Sequence, residues 1–248
     1  MRWAVAIGAG AVAVTTGWGL VVAVNPHEPG KPVSLVGEVK AAGDLKFALS
    51  EALPSAPDGK GLPRGDSDPS TPEFGGHQSV PVGTLTVSFQ IRGNRRTPVQ
   101  VTDITPEITD ETPVQTGTLV VFPPEGSEHS AIELVSNLDA TRPVVRGPTE
   151  LGVSWFSGHH VELTNDENQQ FQIIFTGRLA TYSFRIVIDY TDGDGDRGHL
   201  VISDRDDRPF RLTGEPADGR YGTVYLPNYP MDSGWHACGS WEEDLCAR

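Results

Sequence analysis

Between residues 84 and 212 apolar and polar residues alternate, and this alternation restricts the fold more than any other feature of the chain. The clearest sets are Leu85, Val87, Phe89 and Ile91; Phe171, Ile173 and Phe175; and Phe184, Ile186, Ile188 and Tyr190. A period of two is typical of a strand with one buried face. Since about eight to ten such segments follow one another without a long helical pattern, the sequence predicts an immunoglobulin-like antiparallel β-sandwich over residues 81–214.

Two local irregularities refine this prediction. The register slips near Asp103 and Ile104, which indicates a bulge or bend. Pro106 and Pro113 are predicted to bracket an edge strand or a loop, because proline cannot donate to a sheet ladder. The Cys–Trp–Cys core of antibody domains is absent, so the prediction is a sandwich of general type.

The segments on either side of the predicted sandwich are rich in proline and glycine. Residues 25–80 are predicted to be an extracellular linker, in which residues 44–53 have an N-cap aspartate and apolar residues at helical spacing, and so predict a short helix. Residues 215–248 form an aromatic tail, expected to cover the sandwich, with an exposed binding surface as the alternative. Its two cysteines, Cys238 and Cys246, are predicted to form a disulfide; metal binding and lipid attachment are the alternatives.

An uncharged run from Trp3 to Val24 (residues 3–24) predicts a transmembrane helix. At about 1.5 Å per residue it is long enough to cross a hydrocarbon core of about 30 Å. Arg2 precedes the run and an acidic, polar segment follows it, so residues 1–2 are predicted to be a cytoplasmic stub and the rest extracellular. The expected localisation is the cell membrane, with a single uncleaved signal-anchor. Cleavage near Asn25 is the alternative and would give a secreted protein.

The charge of the chain limits its partners. Nineteen basic residues stand against 33 acidic ones, and the net charge is −14. A surface of this sign repels phosphate backbones and anionic headgroups, which argues against nucleic acid as a partner.

An aspartate-rich loop is the most conspicuous candidate site. Asp192, Asp194 and Asp196 alternate with glycines, and such carboxylates can surround a calcium ion. An EF-hand loop starting at Asp192 would need glycine and glutamate where Arg197 and Ser203 stand. The favoured interpretation is therefore a hairpin turn, with calcium as the alternative.

The sequence shows no signature of catalysis. A G-x-S-x-G nucleophile elbow is absent, and carboxylate pairs are uninformative in a chain with so many acids. We therefore expect a protein that is not an enzyme and has no cofactor.

Several segments resemble a group of uncharacterised actinobacterial single-pass membrane proteins with a β-rich extracellular domain. They are residues 83–104, 117–122, 171–190 and 208–214. The group often has a proline-glycine turn where this chain has residues 165–170. The resemblance implies an N-terminal membrane helix and a β-rich outer domain, and it implies no activity.

Together these features predict a membrane-anchored binding module at the cell envelope, with an envelope protein or a cell-wall component as partner. A structural or accessory subunit of a membrane complex is the first alternative. A calcium-binding domain or a hydrolase centred on the Asp192 loop is the second.

Overall fold

The computed structural model describes residues 30–53, 73–74, 77–121, 131–150, 152–227 and 235–237, and these are mainly β-strand. The two helices within these ranges are short 3-10 turns, Trp155–Ser157 and Arg205–Asp207. In this part of the chain no helix has the length and apolar character needed to span a membrane. The predicted anchor at Trp3 to Val24 and the predicted Cys238–Cys246 disulfide lie outside the described residues.

The described residues form sixteen strands. In chain order they are β1 (Val33–Gly43), β2 (Lys46–Leu49), β3 (Glu73–Phe74), β4 (His77–Gln78), β5 (Val80–Pro81), β6 (Thr84–Gly93), β7 (Val99–Thr112), β8 (Thr118–Val121), β9 (Ile132–Asn137), β10 (Val161–Leu163), β11 (Asn168–Thr176), β12 (Thr181–Thr191), β13 (Arg197–Ile202), β14 (Phe210–Thr213), β15 (Thr223–Pro227) and β16 (Trp235–Ala237).

These strands form three main sheets and one small hairpin. The first sheet has the order β1-β6-β11-β9, and the second has the order β10-β7-β12-β13, with β14 also paired to β12. The third sheet has the order β16-β15-β8-β2-β5, and β3 pairs with β4.

The first and second sheets share one hydrophobic core. Phe175 of the first sheet lies against Phe184 of the second, with ring centroids 4.7 Å apart, and Phe184 also packs on Phe210 at 5.6 Å. The alternating residues that predicted these strands are buried in this core. A second, smaller cluster of Phe47, Leu49, Val120 and Tyr225 belongs to the third sheet.

The sheets are mixed, whereas the sequence predicts antiparallel pairing throughout. β9 runs parallel to β11, and β15 runs parallel to β8. Parallel neighbours need a crossover connection. The chain between β9 and β11 supplies one, because it passes through β10 of the second sheet before it returns to the first.

The predicted linker and helix are wrong where the structure describes residues 25–80. β1 pairs with β6 along most of its length, and Val33 is fully buried. Residues 46–49 form strand β2 instead of a helix, paired with β8 on one side and β5 on the other. The apolar spacing of so short a segment fits a buried strand as well as a helix, and the pairing decides between them.

Strand β7 confirms the predicted bulge and corrects the interpretation of Pro106. The register with β12 shifts between Asp103 and Val101. Pro106 lies inside β7, opposite Ile186, and does not start a loop. A proline fits there because β10 covers the other edge of β7 only from Val99 to Val101.

The predicted domain boundaries, 81–214, are too narrow on both sides. β1 and β2 precede them, and β15 follows, paired with β8. Tyr225 of β15 is buried in the core of the third sheet, which agrees with an aromatic tail that packs on the domain.

A carboxylate holds the chain where it passes from the first sheet to the second. Asp139 accepts hydrogen bonds from the backbone N–H groups of Arg178 and Leu179 and from the hydroxyl of Tyr182 at 2.7 Å. Burial tends to raise the pKa of Asp139, but these hydrogen bonds together outweigh it and lower the pKa. The Asp139 carboxylate therefore favours the folded state when it is ionised.

Replacing Asp139 should change how stability responds to acid. Because the folded-state pKa is lowered, the contribution of Asp139 is present above its unfolded pKa of about 3.9 and is lost as the pH falls through the folded value. We expect the free energy of unfolding of the Asp139→Asn variant to fall less than that of the wild type between about pH 5 and pH 2. Urea denaturation followed by circular dichroism measures this. Asp189→Asn, at an exposed aspartate of β12, is the control and should follow the wild type.

Candidate functional site

Strand β14 joins the second sheet to the third, and the candidate site lies at this junction. One edge of β14 pairs with β12. On the other side Val82 forms a parallel bridge with Thr213, and the N–H of Gly83 donates to the carbonyl of Thr213 at 2.8 Å. β14 therefore has partners on both sides at its C-terminal end.

A buried chain of hydroxyl groups fixes this junction. The hydroxyls of Thr181 and Thr213 lie 2.7 Å apart, the backbone N–H of Gln115 donates to Thr213 Oγ1 at 3.1 Å, and Thr181 Oγ1 donates to the carbonyl of Pro113 at 2.9 Å. With one proton on each hydroxyl, the donors run in one direction from Gln115 to Pro113. Both threonines are buried, so these bonds hold the connection between β7 and β8 against β12 and β14.

Beside the junction lies a cavity of about 420 Å³, here called the junction cleft. This volume lies within the range of about 300–1,000 Å³ that is typical of small-molecule sites. Its apolar lining comes from all three sheets and from the connection before β14. The residues are Ala41, Phe47, Pro81, Leu85, Pro209 and Phe210.

The polar lining begins with a row of three residues on the outer face of the second sheet. Ser183 of β12 is the register partner of Asp110 in β7 and of Arg211 in β14. Register partners point to the same face of a sheet. Phe210 and Leu212 point into the core, so Arg211 faces outward. The next row on that face is the Thr181–Thr213 pair, which the connection between β7 and β8 buries. The cleft starts at the row of Arg211, which this connection leaves uncovered.

Arg211 is the charged residue in this row that is partly withdrawn from water. Burial lowers its pKa, and the carboxylate of Asp110 opposes that shift. Its Nη1 donates to Oε1 of Gln78 at 3.3 Å. That is the single hydrogen bond of the Arg211 guanidinium within the described part of the chain, although a guanidinium has five N–H donors.

Ser79 adds an unsatisfied polar group to the wall of the cleft. Ser79 is 4% exposed, and its Oγ has no hydrogen-bond partner among the described residues. Buried polar atoms are nearly always paired. Asp204 and Arg208 complete the polar lining from the connection between β13 and β14.

A second cavity of about 520 Å³, here called the rim cavity, adjoins the cleft and shares Gln78 and Arg211 with it. His77 Nδ1 lies 3.2 Å from Oε2 of Glu51 on its wall, and both side chains are more than one-third exposed. The remaining lining comes largely from the connection between β7 and β8, which the threonine hydroxyls hold in place.

The aspartates selected from the sequence lie at the opposite end of β12 from the cleft. Oδ1 of Asp192 accepts the backbone N–H groups of Asp194 and Asp196, each at 3.0 Å, and its backbone N–H donates to the carbonyl of Asp196. These bonds close the turn between β12 and β13. Among the described residues, no group of three or more His, Cys, Asp or Glu side chains is arranged to hold a metal ion. Calcium binding at this loop stays the untested alternative to a hairpin turn.

Sequence reasoning missed the junction cleft. Arg211 alternates with Phe210 and Leu212, so the pattern places it on the outer face, where arginine is usual and gives no signal. Gln78 and Ser79 lie in a segment assigned to the linker. The register of β12 with its neighbours brings Arg211 beside Ser183 and Asp110, and a single sequence does not specify register.

Comparisons with known proteins add little to this geometry. No protein-family model matches the chain, and no curated protein matches it. A solved structure, that of the "Putative ApaA Protein" from Bordetella pertussis, is similar at 15% sequence identity. The match covers 75% of this chain and 98% of that one, with a TM-score of 0.32. At that score the likeness supports no argument about fold or function.

The hydroxyl chain gives the first test of the site. In a Thr213→Val variant the N–H of Gln115 and the hydroxyl of Thr181 lose a partner in a buried place, which we expect to cost about 1–3 kcal/mol of unfolding free energy. Denaturant titration of the full chain measures it. Thr102→Val, at an exposed threonine of β7, is the matched control and should change stability by less than about 0.5 kcal/mol.

The aspartate loop gives the second test. Because Oδ1 of Asp192 already accepts two backbone N–H groups, we expect the full chain to melt at the same temperature in millimolar calcium and in EDTA. Differential scanning calorimetry decides this. A rise in melting temperature with calcium that the Asp192→Asn variant lacks would instead establish the calcium site.

Proposed function

We propose that the protein is a membrane-anchored, extracellular binding module with an immunoglobulin-like sandwich, and that its junction cleft receives a component of the cell envelope. The anchor and the location rest on the uncharged run from Trp3 to Val24. The sandwich rests on two sheets that bury their alternating apolar residues in one core.

The junction cleft is the observation that carries the proposal. A cavity of about 420 Å³ combines an apolar lining with Arg211, whose guanidinium is half-buried and has unused donors within the described residues, and with the unpaired hydroxyl of Ser79. Ligand sites typically pair an apolar wall with a few placed polar groups. A protein that acts only as a spacer has no use for these features.

The electrostatics of the chain limit what the partner can be. With a net charge of −14 the protein as a whole repels polyanions at long range. The cleft itself carries both signs, from Asp110, Asp204, Arg208 and Arg211. An envelope protein or a cell-wall component with a small polar group fits this combination better than a nucleic acid does.

Site-specific photo-crosslinking of the full chain in intact cells tests the proposal. A photoreactive amino acid replaces Ser50, which is exposed and lines the rim cavity next to the cleft. We expect adducts with an envelope protein or with cell-wall fragments. The matched control places the same amino acid at Val201, an exposed residue of β13, where we expect none.

The other outcomes are equally informative. Adducts of equal yield at both positions would show nonspecific contact and contradict a site at the junction. If neither outer position reacts but a photoreactive residue within residues 3–24 captures a membrane protein, the chain is an accessory subunit and the proposal is wrong.

A further inference from the structure

The junction cleft contains charges of both signs that do not neutralise one another. No carboxylate of Asp110 or Asp204 lies within 4.0 Å of a basic group in the described part of the chain, and neither carboxylate accepts a side-chain hydrogen bond there. Arg208 likewise has no side-chain partner among the described residues, and Arg211 has only the neutral Gln78. Two positive and two negative groups therefore line one cavity without closing into ion pairs.

The positions of Asp110 and Arg211 set the separation between the charges. They lie on neighbouring strands on either side of β12, with Ser183 between them in the same row. Strands lie about 4.8 Å apart, so the two Cα atoms are separated by about 10 Å across the sheet. The two side chains influence each other electrostatically, yet stay apart by more than a salt bridge. This gap suits a ligand that carries an ammonium group and a carboxylate a few ångströms apart.

Simpler ligands fit this lining less well. A purely anionic ligand would use Arg208 and Arg211 but would bring its charge close to Asp110 and Asp204. A purely cationic ligand would bring its charge close to the half-buried Arg211, which carries the same sign. A neutral apolar ligand would leave Arg211 and the hydroxyl of Ser79 without partners after water is displaced.

We propose, on the basis of the function proposed above, that the envelope component received by the junction cleft is a short peptide with both termini free, in its zwitterionic form. Arg211 receives the carboxylate, for which its planar donors are suited. Asp110 receives the ammonium group, and the apolar wall at Phe47 and Leu85 receives a side chain. The hydroxyl of Ser79 is available for a peptide N–H or C=O.

Isothermal titration calorimetry of the full chain with one dipeptide in three forms tests this. The forms are alanyl-leucine, its N-acetyl derivative and its C-terminal amide. We expect alanyl-leucine to bind, and each blocked form to bind at least about tenfold more weakly, because each leaves one charged group of the cleft without a partner. The N-acetyl form also mimics the C-terminus of a protein, so equal binding of that form would replace the free peptide by a protein chain end and overturn the proposal.

Two variants test which residue of the cleft binds the carboxylate and which binds the ammonium group of the dipeptide. In the Arg211→Gln protein, alanyl-leucine should bind about tenfold more weakly, and the preference for the free carboxylate over the amide should disappear. In the Asp110→Asn protein, the preference for the free ammonium over the acetylated form should disappear. Each preference is a ratio measured within one variant, so a general loss of folded protein does not imitate it. Arg197→Gln, at the far end of the second sheet, is the matched control and should keep both preferences.

Two further results would overturn the inference. One is the absence of binding of alanyl-leucine to the wild type at millimolar concentration. The other is a preference for the carboxylate that survives Arg211→Gln. The proposed function is tested separately. If envelope adducts form at position 50 but no dipeptide binds, the protein remains an envelope-binding module and only the zwitterionic peptide is rejected as its ligand.

Discussion

The structure depends on the double pairing of β14 at the junction of the sheets. Its backbone pairs with β12 on one side and meets Val82 on the other, and the buried hydroxyls of Thr181 and Thr213 hold the connection after β7 against this point. That contact helps to fix the third sheet against the core shared by the other two, together with the short connections from β1 to β2 and from β5 to β6. The cleft exists because the connection between β7 and β8 covers Thr213 on the outer face of β14 but stops one row short of Arg211.

The sequence predicts the central strands well, because burial of one face imposes a period of two. β6, β11 and β12 follow directly from that alternation. It predicts the flanking strands poorly. β2 is buried on both faces and shows no alternation, and β1 lies in a segment whose prolines and glycines indicate a linker. The prediction for Pro106 is wrong because β10 is short. It leaves the edge of β7 at Pro106 uncovered, and a proline is tolerated there.

The candidate site could not be predicted from the sequence, for a different reason. Asp110, Ser183 and Arg211 come from three distant segments and meet only through the register of β12 with its neighbours. Each of the three is unremarkable at its own position in the sequence. The aspartate loop shows the reverse case, since its residues are conspicuous in the sequence, while its described contacts close a turn.

The third sheet also affects the order in which the protein matures. Its strands β2, β8 and β15 start at residues 46, 118 and 223, so their pairing closes very long loops. Such non-local contacts form slowly, and during synthesis β15 leaves the ribosome last of the three. The core of the first two sheets can collapse before then, whereas Phe47 in the wall of the cleft belongs to the third sheet, whose strands β15 and β16 come last in the chain. A nascent chain would therefore acquire a packed body before its third sheet is complete.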